Sequence, residues 1–102
     1  YLDKQVTSLG GLTRKWVSPG RDGVPDRLVL LPVTVAQMIE RLQELDPDSI
    51  IADYKLVEVK VEDGKLSKNQ QREHKRLIKV GADVTTVYGV KDVDKFAFGL
   101  YD

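Results

Sequence analysis

In Val57-Glu58-Val59-Lys60-Val61 a carboxylate and an ammonium stand two residues apart inside a run of valines. Residues two apart in a strand share a face, so Glu58 and Lys60 point one way and the three valines the other. The plain reading is a solvated face on an edge strand carrying an i, i+2 ion pair. The chemical reading is a carboxylate for a hard cation beside a lysine. That lysine can orient a hydroxide or steady charge on a phosphate during in-line displacement. Asp26 adds a second carboxylate at a loop-to-strand junction. Pro25 fixes the backbone there and holds Val24 extended, and Gly20 and Gly23 allow close turns. A turn aspartate is the plain account of Asp26; a metal carboxylate aimed from the start of a strand is the chemical one. Asp26, Glu58 and a backbone carbonyl such as that of Val59 form a hard-oxygen donor set for Mg²⁺ or Mn²⁺. Gln70, one turn into the helix that follows, is either a surface residue or a polar group facing the same site. The same helix carries Lys68, Arg72, Lys75, Arg76 and Lys79, either as a solvated face or as holders of backbone phosphates.

The elements that must position these groups are readable from periodicity. Leu2, Val6 and Leu9 fall near a helical period, and Gly10 and Gly11 stop it. The segment 12–18 alternates as a strand, with Leu12, Arg14 and Trp16 on one side and Thr13, Lys15 and Val17 on the other. Residues 19–26 hold two Pro, two Gly and two Asp and read as a loop. Arg27-Leu28-Val29-Leu30-Leu31 is an inner strand ended by Pro32. Thr34 with Gln37 three later forms a capping box. Val35, Met38, Ile39, Leu42 and Leu45 follow at helical spacing, and Pro47 closes the segment. Residues 52–63 are a second inner strand, and Gly64 turns the chain. Ser67 opens a longer helix that Gly81 ends. Residues 83–90 are a further strand, and Asp92 is expected to cap a short final helix. The order is helix, strand, strand, helix, strand, helix, strand, helix, which is an α/β class.

The 102 residues suit one compact domain, with 41% hydrophobic and 31% charged residues. The absence of cysteine excludes disulfides and thiolate metal sites, and a single His excludes a multi-histidine zinc site within one chain. No apolar run is long enough to span a membrane and no signal peptide is visible, so a cytoplasmic setting is expected. The chain begins at Tyr1 without methionine, as a fragment would. Sixteen basic residues balance sixteen acidic ones, but six of the basic ones lie between Lys65 and Lys79 with Glu73 as the only acid, so a neutral total hides one basic face.

The stretches "LGGLTRKWVSPGRDGVPDRLVLLP", "VEVK" and "DGKLSKNQQREHKRL" resemble a VRR-NUC domain (viral replication and repair nuclease), a branch of the PD-(D/E)XK nuclease superfamily. With "GADVTTVYGVKDVDKF" the resemblance covers most of the chain outside residues 33–53. It implies a restriction-endonuclease-like core: a central mixed sheet of about four strands flanked by helices, as a single domain over residues 1–102 with a helical insertion at 33–53. It implies Asp26 and Glu58 as metal carboxylates, with the Val59 carbonyl, and Lys60 as the catalytic lysine. It also implies Gln70, in Leu66-Ser67-x-x-Gln70, as the family's glutamine. The expected cofactor is Mg²⁺ or Mn²⁺, and the expected activity is DNA phosphodiester hydrolysis. Stand-alone phage and bacterial members are similar to Holliday-junction resolvases that act as dimers on branched DNA, in the host cytoplasm for a phage. A monomeric flap or nicking nuclease and a non-catalytic DNA-binding module are the competing expectations. Two departures stand out. The family's further glutamate on the first helix falls before Tyr1, and Asp3 is a poor substitute because it faces another side of the helix. The segment 33–53 replaces a tight hairpin, and its apolar stripe packs on its own domain or contacts a second copy.

Around the Asp26 loop, Arg14, Lys15 and Arg21 are basic; Lys15, Arg21, Lys68 and Arg72 are the expected phosphate contacts. Trp16 reads as a core residue beneath the sheet, with base stacking as the alternative. His74 has no partner motif and reads as structural or phosphate-facing, not as a catalytic base.

Overall fold

The computed structural model describes residues 1–17, 20, 23 and 25–99. The chain divides into two compact units, residues 1–52 and 53–102. The first holds α1 (Leu2–Ser8), β1 (Leu12–Lys15), β2 (Arg27–Leu30) and α2 (Val35–Gln43). The second holds β3 (Leu56–Lys60), α3 (Lys68–Lys79), β4 (Val84–Tyr88) and α4 (Gly89–Gly99). This is the mixed α/β class and the element order expected from periodicity. The described strands pair as one antiparallel and one parallel couple. No helix among the described residues is long and apolar enough to cross a membrane.

In the first unit, α1 buries Val6, whereas Leu2 and Leu9 are exposed, so one residue of the periodic three forms core. The Gly11 N–H donates to the Val6 carbonyl at 3.0 Å and turns the chain into β1. Asp3 then ties α1 to the strand, accepting from the Thr13 hydroxyl at 2.8 Å. β1 and β2 run antiparallel with Leu12 opposite Leu30 and Lys15 opposite Arg27. Their connection turns at Gly20 and Gly23, with φ of +79 and +78, a region that glycine enters without a Cβ clash. α2 starts as expected at a reciprocal capping box: the Gln37 N–H donates to the Thr34 hydroxyl and the Thr34 N–H to the Gln37 carboxamide oxygen. Its stripe of Val35, Met38, Ile39, Leu42 and Leu45 is exposed throughout, and no α2 residue is buried, so it does not serve as a core face within its own unit.

In the second unit β3 and β4 are parallel, with Leu56 opposite Val84, Glu58 opposite Thr86 and Lys60 opposite Tyr88. Parallel neighbours need a crossover, and α3 supplies it. α3 opens on a second capping box between Ser67 and Gln70 and closes where the Gly81 N–H donates to the Ile78 carbonyl at 2.9 Å. Leu77 of α3 and Val87 of β4 are its buried apolar residues. At the mouth of the ladder the Lys55 ammonium donates to Asp83 at 2.7 Å, with Asp53 at 3.8 Å. α4 starts at Gly89, directly after β4, rather than at Asp92. Asp92 lies inside its first turn, where its carboxylate accepts from the Tyr88 N–H at 2.9 Å. The carboxylate thus satisfies a free donor at the helix start from inside the helix instead of from the residue before it.

Candidate active site

Glu58 and Lys60 share one face of β3, as their spacing requires, and that face is the better covered one. Both are half-buried, whereas Val59 and Val61 on the other side are 64% and 71% exposed. The valine-in, charge-out arrangement of a solvated edge strand is therefore inverted. Thr86 and Tyr88 stand beside Glu58 and Lys60 in register, so the face continues across β4. Val59, Lys60 and Val61 also line a shallow cavity of about 400 Å³ with Gly89, Val90 and Val93.

The ladder also assigns the backbone of β3. The Leu56 N–H donates to the Asp83 carbonyl at 3.0 Å. In a parallel pair alternate residues turn their N–H and C=O to the same neighbour, so Glu58 and Lys60 also bond toward β4. Val57 and Val59 turn theirs to the opposite edge. The Val59 carbonyl is thus left outside the β3–β4 ladder, as a backbone ligand must be.

The structure adds a residue that sequence reasoning missed. His74 Nε2 lies 4.0 Å from Glu58 Oε1, with the two side chains 16% and 31% exposed. At about 100° per residue, Gln70, His74 and Leu77 share the inner side of α3. Lys68, Arg72, Lys75, Arg76 and Lys79 fall within an arc of roughly 100° on the outer side, and all five are exposed. The one sequence signal for His74 was its place four residues after Gln70, on the same helical face. Gln70 itself is half-buried, and its carboxamide oxygen accepts from the Ser67 N–H at 2.9 Å. The Leu-Ser-x-x-Gln signature thus has a local task, closing the helix start. Arg72 donates a short hydrogen bond to Asn69 on the exposed side.

In the first unit Asp26 is exposed at the start of β2, the loop-to-strand position expected. The Trp16 N–H donates to the Asp26 carbonyl at 3.0 Å, extending the hairpin ladder by one pair beyond Lys15 and Arg27. Arg27 Nη1 reaches the same carbonyl at 3.2 Å. Lys15 is exposed, and Trp16 is 47% exposed, so it is not the core residue expected. Asp3, exposed on α1, is the carboxylate held by Thr13. Arg21 and Val24 lie outside the described residues.

By donor type, carboxylates such as Glu58 and a peptide carbonyl such as that of Val59 suit a hard cation, and the chain holds no thiolate. Among the described residues no three His, Asp or Glu side chains gather as a ready-made cluster.

The VRR-NUC domain family model matches residues 8–91. The chain is 39% identical over 84 residues to "Putative nuclease p44" of Acyrthosiphon pisum secondary endosymbiont phage 1, covering 82% of this chain and 71% of that protein. A solved structure described as "VRR_NUC domain" is 38% identical, with a TM-score of 0.41 over 93% of this chain and 84% of the other.

Proposed function

Because the chain belongs to the VRR-NUC domain family and is a nuclease by that membership, we propose that it is a Mg²⁺- or Mn²⁺-dependent DNA endonuclease, selective for branched DNA and resolvase-like as a homodimer. The observation that carries the reading is the half-buried placement of Glu58 and Lys60 on one face of β3. Covering two charges costs solvation free energy, and that cost supports a role for them in the site.

Asp26, Glu58 and the Val59 carbonyl would hold the cation. When bound, the ion supplies charge neutralisation on the scissile phosphate and a water made acidic enough to react at neutral pH. Lys60 would donate to a phosphate oxygen as charge builds during displacement. Water adds at phosphorus and one P–O ester bond breaks; the leaving oxygen takes up one proton as a sugar hydroxyl, and the other stays on the new terminal phosphate or passes to solvent. Gln70, anchored through its oxygen, keeps its NH₂ for the phosphate or the attacking water. Lys15, Arg21, Lys68 and Arg72 neutralise the flanking backbone. A four-way junction offers two symmetric cuts, which a two-fold dimer matches with one site per chain; the exposed α2 stripe is the apolar surface such a dimer would cover. A cytoplasmic setting, that of the host for a phage protein, belongs to the same proposal, and the p44 relative is a phage protein.

The test is a cleavage assay on labelled four-way junction, 5′ flap, linear duplex and single strand, with Mg²⁺, Mn²⁺ or EDTA. Paired symmetric nicks in the junction are expected, lost in EDTA. Lys60→Ala is expected to lose about a hundredfold or more in rate while still binding DNA. Cutting of the flap alone would replace the resolvase reading with a monomeric flap nuclease. Unchanged cutting by Glu58→Gln and Lys60→Ala would remove the site.

A further inference from the structure

Trp16 is the chain's sole tryptophan, and the hairpin places it directly opposite Asp26 through the 3.0 Å backbone bond. Opposite residues of an antiparallel pair project to the same face with Cβ atoms about 5 Å apart. Trp16 is 47% exposed opposite the exposed Asp26, although tryptophan is on average a well-buried residue. On the other face of the same two strands Lys15 stands opposite Arg27, both exposed. Like charges directly opposite destabilise a ladder unless an anion lies against them. An aromatic face on one side and a cation pair on the other, both at the same end of one hairpin, match a nucleic-acid strand better than an apolar protein surface. One gives a base a surface to stack on and the other gives phosphates a counter-charge.

We infer that Trp16 is a stacking platform for an unpaired nucleobase next to the phosphate whose cation Asp26 would hold. The inference rests on the nuclease reading above and deepens it by naming what selects the substrate. Bases in a continuous duplex have both faces occupied by their neighbours. Bases at a flap, gap or branch have a face to offer. Stacking on Trp16 therefore favours DNA with unpaired nucleotides beside the cut and adds nothing for unbroken duplex.

Because no other tryptophan contributes, indole emission reports on this site alone. Full-length Lys60→Ala protein with Mg²⁺, which binds without cutting, is titrated with three DNAs. These are a duplex bearing a short single-stranded arm, the same DNA with abasic residues in the arm next to the branch, and a continuous duplex. Quenching is expected with the base-bearing arm and not with the other two. Trp16→Leu is expected to bind the armed DNA about tenfold more weakly, at the scale of one base–aromatic stack, with duplex affinity unchanged. Trp16→Phe, which keeps a ring, should retain most of the preference and guards against a folding defect, checked by the melting temperature of both variants. Equal quenching by the abasic arm, or a Trp16→Leu protein that keeps its preference for the armed DNA, overturns the inference. Loss of stacking with Lys60-dependent cleavage intact removes Trp16 alone. A protein that binds none of the three DNAs removes the nuclease reading and the stacking site together.

Discussion

His74 is the residue through which the proposed site on β3 can be probed without removing a proposed ligand. Groups that contact a ligating carboxylate fix its orientation, and their loss costs about ten- to a hundredfold in metal affinity. At 4.0 Å His74 Nε2 is beyond hydrogen-bond length from Glu58, and such contacts often tighten only when a site fills. His74→Leu is expected to weaken Mn²⁺ binding about tenfold, read by electron paramagnetic resonance of free Mn²⁺. His74→Gln, whose amide nitrogen can take the place of Nε2, should restore most of it, whereas Leu-like binding by the Gln variant would point to direct ligation instead. The face shared by Glu58 and Lys60 was legible from a spacing of two. His74 was not, because its relation to Glu58 depends on which side of α3 turns inward, which is set by packing around Leu77. The exposure of Trp16 was equally hidden, since residue type favours burial and its place at the end of a short hairpin overrides that preference.

Elements were legible where their ends carry chemistry. Thr34-x-x-Gln37 and Ser67-x-x-Gln70 both form the reciprocal boxes their sequences announce. Ser67→Ala should cost about 1 kcal/mol, the usual worth of such a cap, measured by urea denaturation. A loss of metal binding far beyond that fraction would show Gln70 to be positioned for the site through this box. The start of α4 was less legible, because Asp92 has the composition of a cap and works one turn later than a cap does. The Lys55 pair gives β3 a pH signature. The hydrogen bond to Asp83, then the charges of Asp53 and Asp83, raise the Lys55 ammonium above its ordinary 10.5. A raised ammonium stabilises the fold below its ordinary value, and that contribution is lost as pH climbs through the folded value. The melting-temperature gap between wild type and Lys55→Met should therefore be small, steady through neutral pH, and narrow as pH climbs above 10.5.

At the scale of the molecule, zero net charge conceals a division of labour within one helix. The outer side of α3 carries five exposed cations, and its inner side carries Gln70, His74 and Leu77. Arg72→Ala is thus expected to weaken binding of all DNAs alike and to reduce the salt slope by about one, leaving the maximal cleavage rate unchanged. Equal binding at every salt concentration would remove Arg72 from the interface. The clustering of cations between Lys65 and Lys79 pointed to a basic face; only the register of the helix shows that it points away from the side holding His74.

The parallel pairing of β3 with β4 has a consequence for how the protein is made. The pair that clamps the ladder mouth, Lys55 and Asp83, is separated by 28 positions in sequence, and closing so long a loop is entropically costly and slow. On the ribosome, the strand bearing Glu58 and Lys60 emerges well before Val84–Tyr88 can pair with it, so both residues are translated long before they are assembled. A nascent chain stalled between Lys60 and Val84 would display the site's residue types with no β4 beside them, and it would be inert for want of a neighbour.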